Sequence, residues 1–230
     1  KMYLGTFFVP GLVLIQICLL FRGQKKRRKK TASAVAVLMV FILSCTGCAG
    51  IEPEKRMYPL AMGVDVSEGE YILTYAMPDL PRATGQGKEE EDGNQTLQVR
   101  GKSFEGIKSR YERSQEKYLD IGHLQILILS QDLTETDMWK DFFEYLREEP
   151  LAGENIYVFQ TQEPEKLLGW KEGGTSVGEY ITGLMENRMD REQKNGVTLR
   201  QVYYQWYQNG TLKKLPKITL SEDQIQVWLE

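Results

Sequence analysis

Cysteine is scarce in this chain and absent where a disulfide framework would need it. Of 230 residues three are cysteines, Cys18, Cys45 and Cys48, and none lies beyond residue 48. That excludes disulfides, thiolate metal sites and a cysteine nucleophile from the long C-terminal part. Histidine is scarcer still. His123 is the one example, so histidine-rich metal sites are excluded as well. Acid is missing from the first 48 residues, which hold Lys1, Arg22 and the run KKRRKK at 25–30 as their charges. The remainder then has 21 basic against 32 acidic residues, a formal charge of −11. An acidic body of that size argues against nucleic-acid binding. It also argues against direct adsorption to anionic lipid.

What is present near the start is a layout rather than a composition. The basic run 25–30 precedes the apolar run VAVLMVFILSCTGC at 35–48. The apolar stretch is too short for a bilayer span of about 20 residues and fits a signal core of roughly 7–15 residues. Cys48 follows Thr46 and Gly47, the small pair that lets a lipoprotein peptidase reach its bond. Cys45, after Leu43 and Ser44, is the weaker candidate. Cys48 is therefore the expected lipidation site, with residues 31–48 as its signal and the following chain extracytoplasmic. The competing reading is an ordinary buried helix or a true membrane span.

Residues 2–21 are uncharged and mostly apolar, and they run into the basic cluster, the pattern of a membrane helix with a positive cytoplasmic flank. A membrane helix ahead of a lipoprotein signal is redundant. Residues 1–30 are accordingly expected to be a membrane helix with a basic tail, the end of an upstream membrane protein joined to the lipoprotein frame. The alternative is a genuine two-span anchor.

Beyond the signal, 57–66 and 71–77 read as strands joined by the turn Ser67-Glu-Gly-Glu70. Residues 78–95 read as a solvated acidic loop, and 96–101 as a strand. Ser103 is placed to cap a helix over 104–117. The apolar run 123–130 suits a central buried strand, followed by a helix over 134–148 and a strand over 155–160. Pro164 opens a short helix. Helices over 176–190 and 198–208 follow, then strands at Ile218 and 225–229. Alternation of strand and helix between 96 and 160 predicts an α/β fold, a mixed sheet with crossover helices. The last strand ends without a turn, so 216–230 is expected to open a further, truncated domain after a first domain at 49–215.

No catalytic constellation emerges, and the expectation is a protein that is not an enzyme, with no cofactor and no metal. Gly85-Gln-Gly87 and Gly173-Gly174 lack the strand–helix context of a phosphate loop. No Gly-x-Ser-x-Gly turn occurs. His123 is expected to be a fold residue, held at a strand end by a backbone or carboxylate hydrogen bond such as one from Asp120. Glu148-Glu149 and the run Glu89–Asp92 read as solvated surface. Tyr203, Tyr204, Trp206 and Tyr207 are denser than one helix face needs. They form either core and a helix seam or an exposed contact patch for a partner protein.

The segment from Thr96 to Leu168 resembles the N-terminal domain of the Ger(x)C family of spore germination lipoproteins, the C subunits of nutrient germinant receptors. The resemblance is carried by Gly101-Lys-Ser-Phe-Glu105, Ser109-Arg110, Gly122-His-Leu-Gln-Ile-Leu-Ile-Leu-Ser130, Arg147, Pro150, Ile156-Tyr-Val-Phe159 and Pro164-Glu-Lys-Leu-Leu168. Upstream, Cys48 and Tyr58-Pro-Leu-Ala-Met-Gly-Val-Asp65 match the family's opening. Ala49-Gly50 departs from the residues the family usually places after its lipid cysteine. The resemblance implies a lipid-anchored, non-catalytic subunit on the outer face of the spore inner membrane. Its partners would be A and B type membrane subunits, with no nucleic acid. Other readings are a lipid-anchored extracytoplasmic solute-binding protein and, less well supported, a cell-envelope hydrolase.

Overall fold

A computed structural model describes residues 52–78, 96–170, 175–187 and 196–228. Residues Glu52–Glu230 form one compact unit. The expected membrane helix, the signal, Cys48 and the acidic run 89–92 lie outside the described residues.

The fold is α/β, and the described residues build a seven-stranded mixed sheet whose strands lie in the order 96–101, 70–76, 61–67, 126–130, 157–161, 217–221, 224–228. Its strands are β2 (Ala61–Ser67), β3 (Glu70–Ala76), β4 (Thr96–Gly101), β6 (Ile126–Ser130), β7 (Tyr157–Thr161), β8 (Lys217–Ser221) and β9 (Gln224–Trp228). The central strands β2, β6, β7 and β8 are mutually parallel, and β3, β4 and β9 add antiparallel edges. A separate parallel pair joins β1 (Arg56–Met57) to β5 (Tyr118–Leu119). The helices are α1 (Phe104–Ser114), α2 (Gln131–Glu135), α3 (Met138–Glu148), α4 (Pro164–Leu168), α5 (Val177–Glu186) and α6 (Leu199–Asn209).

The β2–β3 hairpin closes where expected, with Glu68 and Gly69 at φ +53° and +74°, the left-handed pair that a two-residue hairpin turn requires. Strand β6 is buried at every position, as suits a strand covered on both faces. It starts at Ile126 rather than at His123. The Asp120 carboxylate accepts the Gly122 N–H at 2.9 Å and winds Ile121–His123 into a single 3-10 turn. The helix expected over 134–148 is two helices. Ser130 Oγ accepts the Leu133 N–H at 3.0 Å and starts α2 early. Thr136 then leaves the helical region. Its hydroxyl donates to the Leu133 carbonyl and accepts the Met138 N–H, closing one helix as the next begins.

Alternation along the strands gives the sheet two apolar faces. Met62, Val64, Leu73, Leu127, Leu129 and Val158 face α1, α3 and α6, meeting Phe104, Ile107, Phe142, Phe143 and Val202. Ala61, Ile126, Ile128 and Phe159 face the other way, toward Leu167 and Leu168 of α4 and Val177 and Ile181 of α5. Gly63 permits the close approach of α4, since a Cβ there would stand 2.6 Å from Leu168 Cδ1. The segment 216–230, expected to open a further domain, supplies β8 and β9 of this same sheet, with Ile218 and Ile225 buried in the second core. The β8–β9 turn is pinned by Trp170, whose indole N–H donates to the Asp223 carbonyl at 2.7 Å.

Candidate functional site

The sequence-predicted residues do not converge on one cleft. His123 is exposed at the end of its 3-10 turn and meets Tyr58 edge to face, ring centroids 4.9 Å apart. The expected carboxylate partner is otherwise engaged: Asp120 takes Arg56 Nη1 at 2.6 Å as well as the Gly122 N–H. Burial alone would raise the Asp120 carboxyl. The Gly122 N–H, Arg56 and the nearby His123 outweigh it and hold the group below the ordinary carboxylate value. This pair ties the β1–β5 ladder together across 64 residues of chain. It is a structural constellation, and sequence reasoning missed Arg56.

Glu149, expected to be solvated, is half-buried at the end of α3. It pairs with Lys108 at 3.6 Å and accepts the Tyr145 hydroxyl. Around it lie Tyr75, Tyr111 and Tyr145. Burial, with the neighbouring Tyr145, Tyr111 and Glu149, pushes the Tyr75 phenol far up. Burial also raises Tyr111 and, with Glu149 adding to it, Tyr145. These shifts keep the phenols neutral, and a neutral tyrosine cluster under two helices is a packing device. The periodic aromatic and polar signals of 104–111 and 138–149 point to the packed faces but not to the cluster, because Tyr75 comes from a distant strand.

The aromatic residues of α6 divide between the two expected roles. Tyr203 is buried and donates to the Phe143 carbonyl at 3.2 Å. Trp206 is half-buried against Trp139, centroids 5.4 Å apart. Tyr204 and Tyr207 remain exposed at 64% and 59%, more than a seam residue would be. An open cleft of about 390 Å³ lies along α5, lined by Glu179, Tyr180, Gly183, Leu184 and Asn187. Its one carboxylate is spent on the helix cap, where Glu179 accepts the Ser176 N–H and hydroxyl. Among the described residues no group of three or more His, Cys, Asp or Glu side chains could hold a metal ion. No helix among them is long and apolar enough to cross a membrane.

Comparison with known families identifies the group of proteins to which this α/β domain belongs. A family model described as the spore germination protein N-terminal domain matches residues 50–220. The chain belongs to this family. The match spans most of the chain and covers the motifs from Tyr58-Pro-Leu through Pro164-Glu-Lys-Leu-Leu168, while Cys48 lies ahead of it. A spore germination protein of this family falls outside the known families of enzymes. No curated protein matches the chain, and no solved structure matches it.

Proposed function

We propose that this spore germination protein is a lipid-anchored, non-catalytic subunit of a nutrient germinant receptor, acylated at Cys48. It acts on the outer face of the spore inner membrane together with A and B type membrane subunits. One observation carries the reading: the family match opens at residue 50, immediately after a basic run, a short apolar core and the Thr-Gly-Cys triplet ending at Cys48. A domain that begins where a lipoprotein signal ends is the expected layout of a lipoprotein. The exposed Tyr204–Tyr207 face of α6 is the surface assigned to a partner subunit, since tyrosine offers large contact area at low entropic cost.

The solute-binding alternative has less support. A solute pocket needs convergent polar groups in a concave site, and the α5 cleft is open with its carboxylate engaged.

The test is nutrient germination of spores lacking the gene, complemented with wild type or with Cys48→Ala. Loss of response to a particular nutrient, restored by wild type and not by Cys48→Ala, is the expected result. Full restoration by a Cys48→Ala protein that remains in the membrane fraction would refute lipid anchoring at this residue. Specific binding of an amino acid or sugar to the purified protein would bring the alternative forward.

A further inference from the structure

The parallel strands give this domain two unlike ends. The segments entering β2, β6 and β7 lie at one end, because Ala61, Ile126 and Tyr157 are aligned in register. The turns leaving these strands, together with the β8–β9 turn, lie at the other. Glu68, Glu70, Asp132, Glu222 and Asp223 sit on that second end together with Lys102, so its balance is acidic.

At the first end, three acids are paired with bases, and Glu54 adds a further exposed carboxylate. Glu52 pairs with Lys55, Asp120 with Arg56 and Glu154 with Arg200. Two large apolar side chains are exposed here, Tyr118 at 55% and Leu151 at 49%. They flank one surface. Tyr118 is in register with Arg56 in the β1–β5 ladder. Leu151 lies beside Gly122, its Cβ 3.7 Å from where a Cβ on Gly122 would be. The His123 ring on Tyr58 continues the surface. The described chain also enters at this end, at Glu52. Four peptide units connect Glu52 to Cys48, a reach of at most about 14 Å at ~3.5 Å per residue.

We propose that this end of the domain, led by Tyr118 and Leu151, rests in the headgroup layer of the phospholipid bilayer, with the acidic end directed away. The inference rests on acylation at Cys48. Given that anchor, the short tether holds this end near the membrane and keeps the opposite, acidic end from reaching it. Tyrosine belongs at that depth, with its ring among acyl carbons and its hydroxyl in water. The net negative charge of the body does not oppose this orientation. An anionic leaflet repels the acidic end most, and the distance over which it does so is short, about 8 Å at physiological salt. Contact of the domain itself adds to the acyl chains and orients the body, including the tyrosine face of α6, relative to the membrane.

The experiment uses the full chain with Cys18→Ser and Cys45→Ser, recovered from bacterial membranes and placed in vesicles of phosphatidylcholine and phosphatidylglycerol. Mass spectrometry reports whether Cys48 is acylated. Nitroxide labels are attached singly at Tyr118→Cys, Leu151→Cys and, as the control at the acidic end, Asp132→Cys. All three positions are exposed, so the fold tolerates them. The expected result is a several-fold lower relaxation by an aqueous nickel chelate at 118 and 151 than at 132, with higher relaxation by oxygen. Equal access of the nickel chelate to all three sites on an acylated protein would overturn the proposal and leave the lipoprotein reading intact. Protection of 118 and 151 from both relaxants would also overturn it, since that marks burial against protein. A Cys48 without acyl chains would remove the lipoprotein reading, and this proposal with it.

Discussion

Helix α5 carries two glycines whose replacement by alanine should move stability in opposite directions. An added methyl group at Gly178 would stand 2.7 Å from Leu60 Cβ, 3.0 Å from its carbonyl carbon and 3.2 Å from its carbonyl oxygen. Two of those atoms are backbone, and Leu60 is fixed by its carbonyl, which accepts the N–H groups of Gln125 and Ile126. The contact therefore cannot relax by a rotamer change. Overpacking of this kind costs about 1–3 kcal/mol, and the rigid neighbour places it in the upper part of that range. Alanine recovers up to about 1 kcal/mol of helix propensity in a helix interior, and less at Gly178, which is the second residue of α5. The net is a loss of about 2 kcal/mol, the difference of those two terms. At Gly183 the same substitution meets only Asn187 Nδ2, at 3.9 Å, so the propensity gain stands alone. For a domain of this size each kcal/mol moves Tm by about 2–4 °C. Thermal and urea unfolding of the unit Glu52–Glu230 should show Gly178→Ala lower by about 4–8 °C and Gly183→Ala unchanged or higher by up to ~4 °C. A Gly178→Ala protein as stable as Gly183→Ala would refute the reasoning, because it would mean that α5 does not pack on the Leu60 backbone as closely as described.

Other consequences can be checked on the same unit. Asp120→Asn should destabilise by about 2–3 kcal/mol, since it strips a charged acceptor from Arg56 and leaves that guanidinium half-buried. Because the native carboxyl is held below its ordinary value, its contribution is complete above the unfolded carboxylate range and lost as pH falls through the lower native value. Urea midpoints of wild type and Asp120→Asn should therefore converge below about pH 4 and stay apart above pH ~5. Tyr71 is pushed up to about 12, chiefly by burial and then by the Asp141 carboxylate. Its contribution is whole below the unfolded value of about 10 and is lost as pH rises toward 12, so ultraviolet titration should show this phenol ionising late and Tyr71→Phe should flatten the alkaline loss of stability. On α6, Tyr204→Ser with Tyr207→Ser should leave Tm within about 2 °C, as exposed substitutions do, yet reduce nutrient germination. Wild-type germination by that variant would remove α6 as a partner surface.

Much of the architecture was legible because it rests on local chemistry. Ser103 and Ser176 accept N–H groups three residues on, and the unbroken Ile126–Leu129 run admits little but a strand buried on both faces. Near-local competition was harder to read. The apolar stripe of 138–146 continues the phase of Leu133, so periodicity alone joins α2 to α3. The break depends on where the Thr136 hydroxyl points. The family was legible for a similar reason, since its motifs are contiguous stretches.

The chain alone determined the kinds of elements, their order, the two-sided burial of the central strands and a cysteine distribution that confines the lipidation candidates to Cys48 and, less well placed, Cys45. All of these follow from residue type, short-range hydrogen bonds and hydrophobic periodicity. Tertiary structure decided which strands are neighbours, that residues 217–228 complete the same sheet, and that Arg56 meets Asp120. It also decided that Tyr118 and Leu151 share the end where the chain enters. Relations of this kind join residues far apart in the chain: Arg56 meets Asp120 across 64 positions, and Gly178 packs on Leu60 across 118. Their free energy comes from surfaces that exist only after the sheet has assembled, and no local pattern in the chain encodes them.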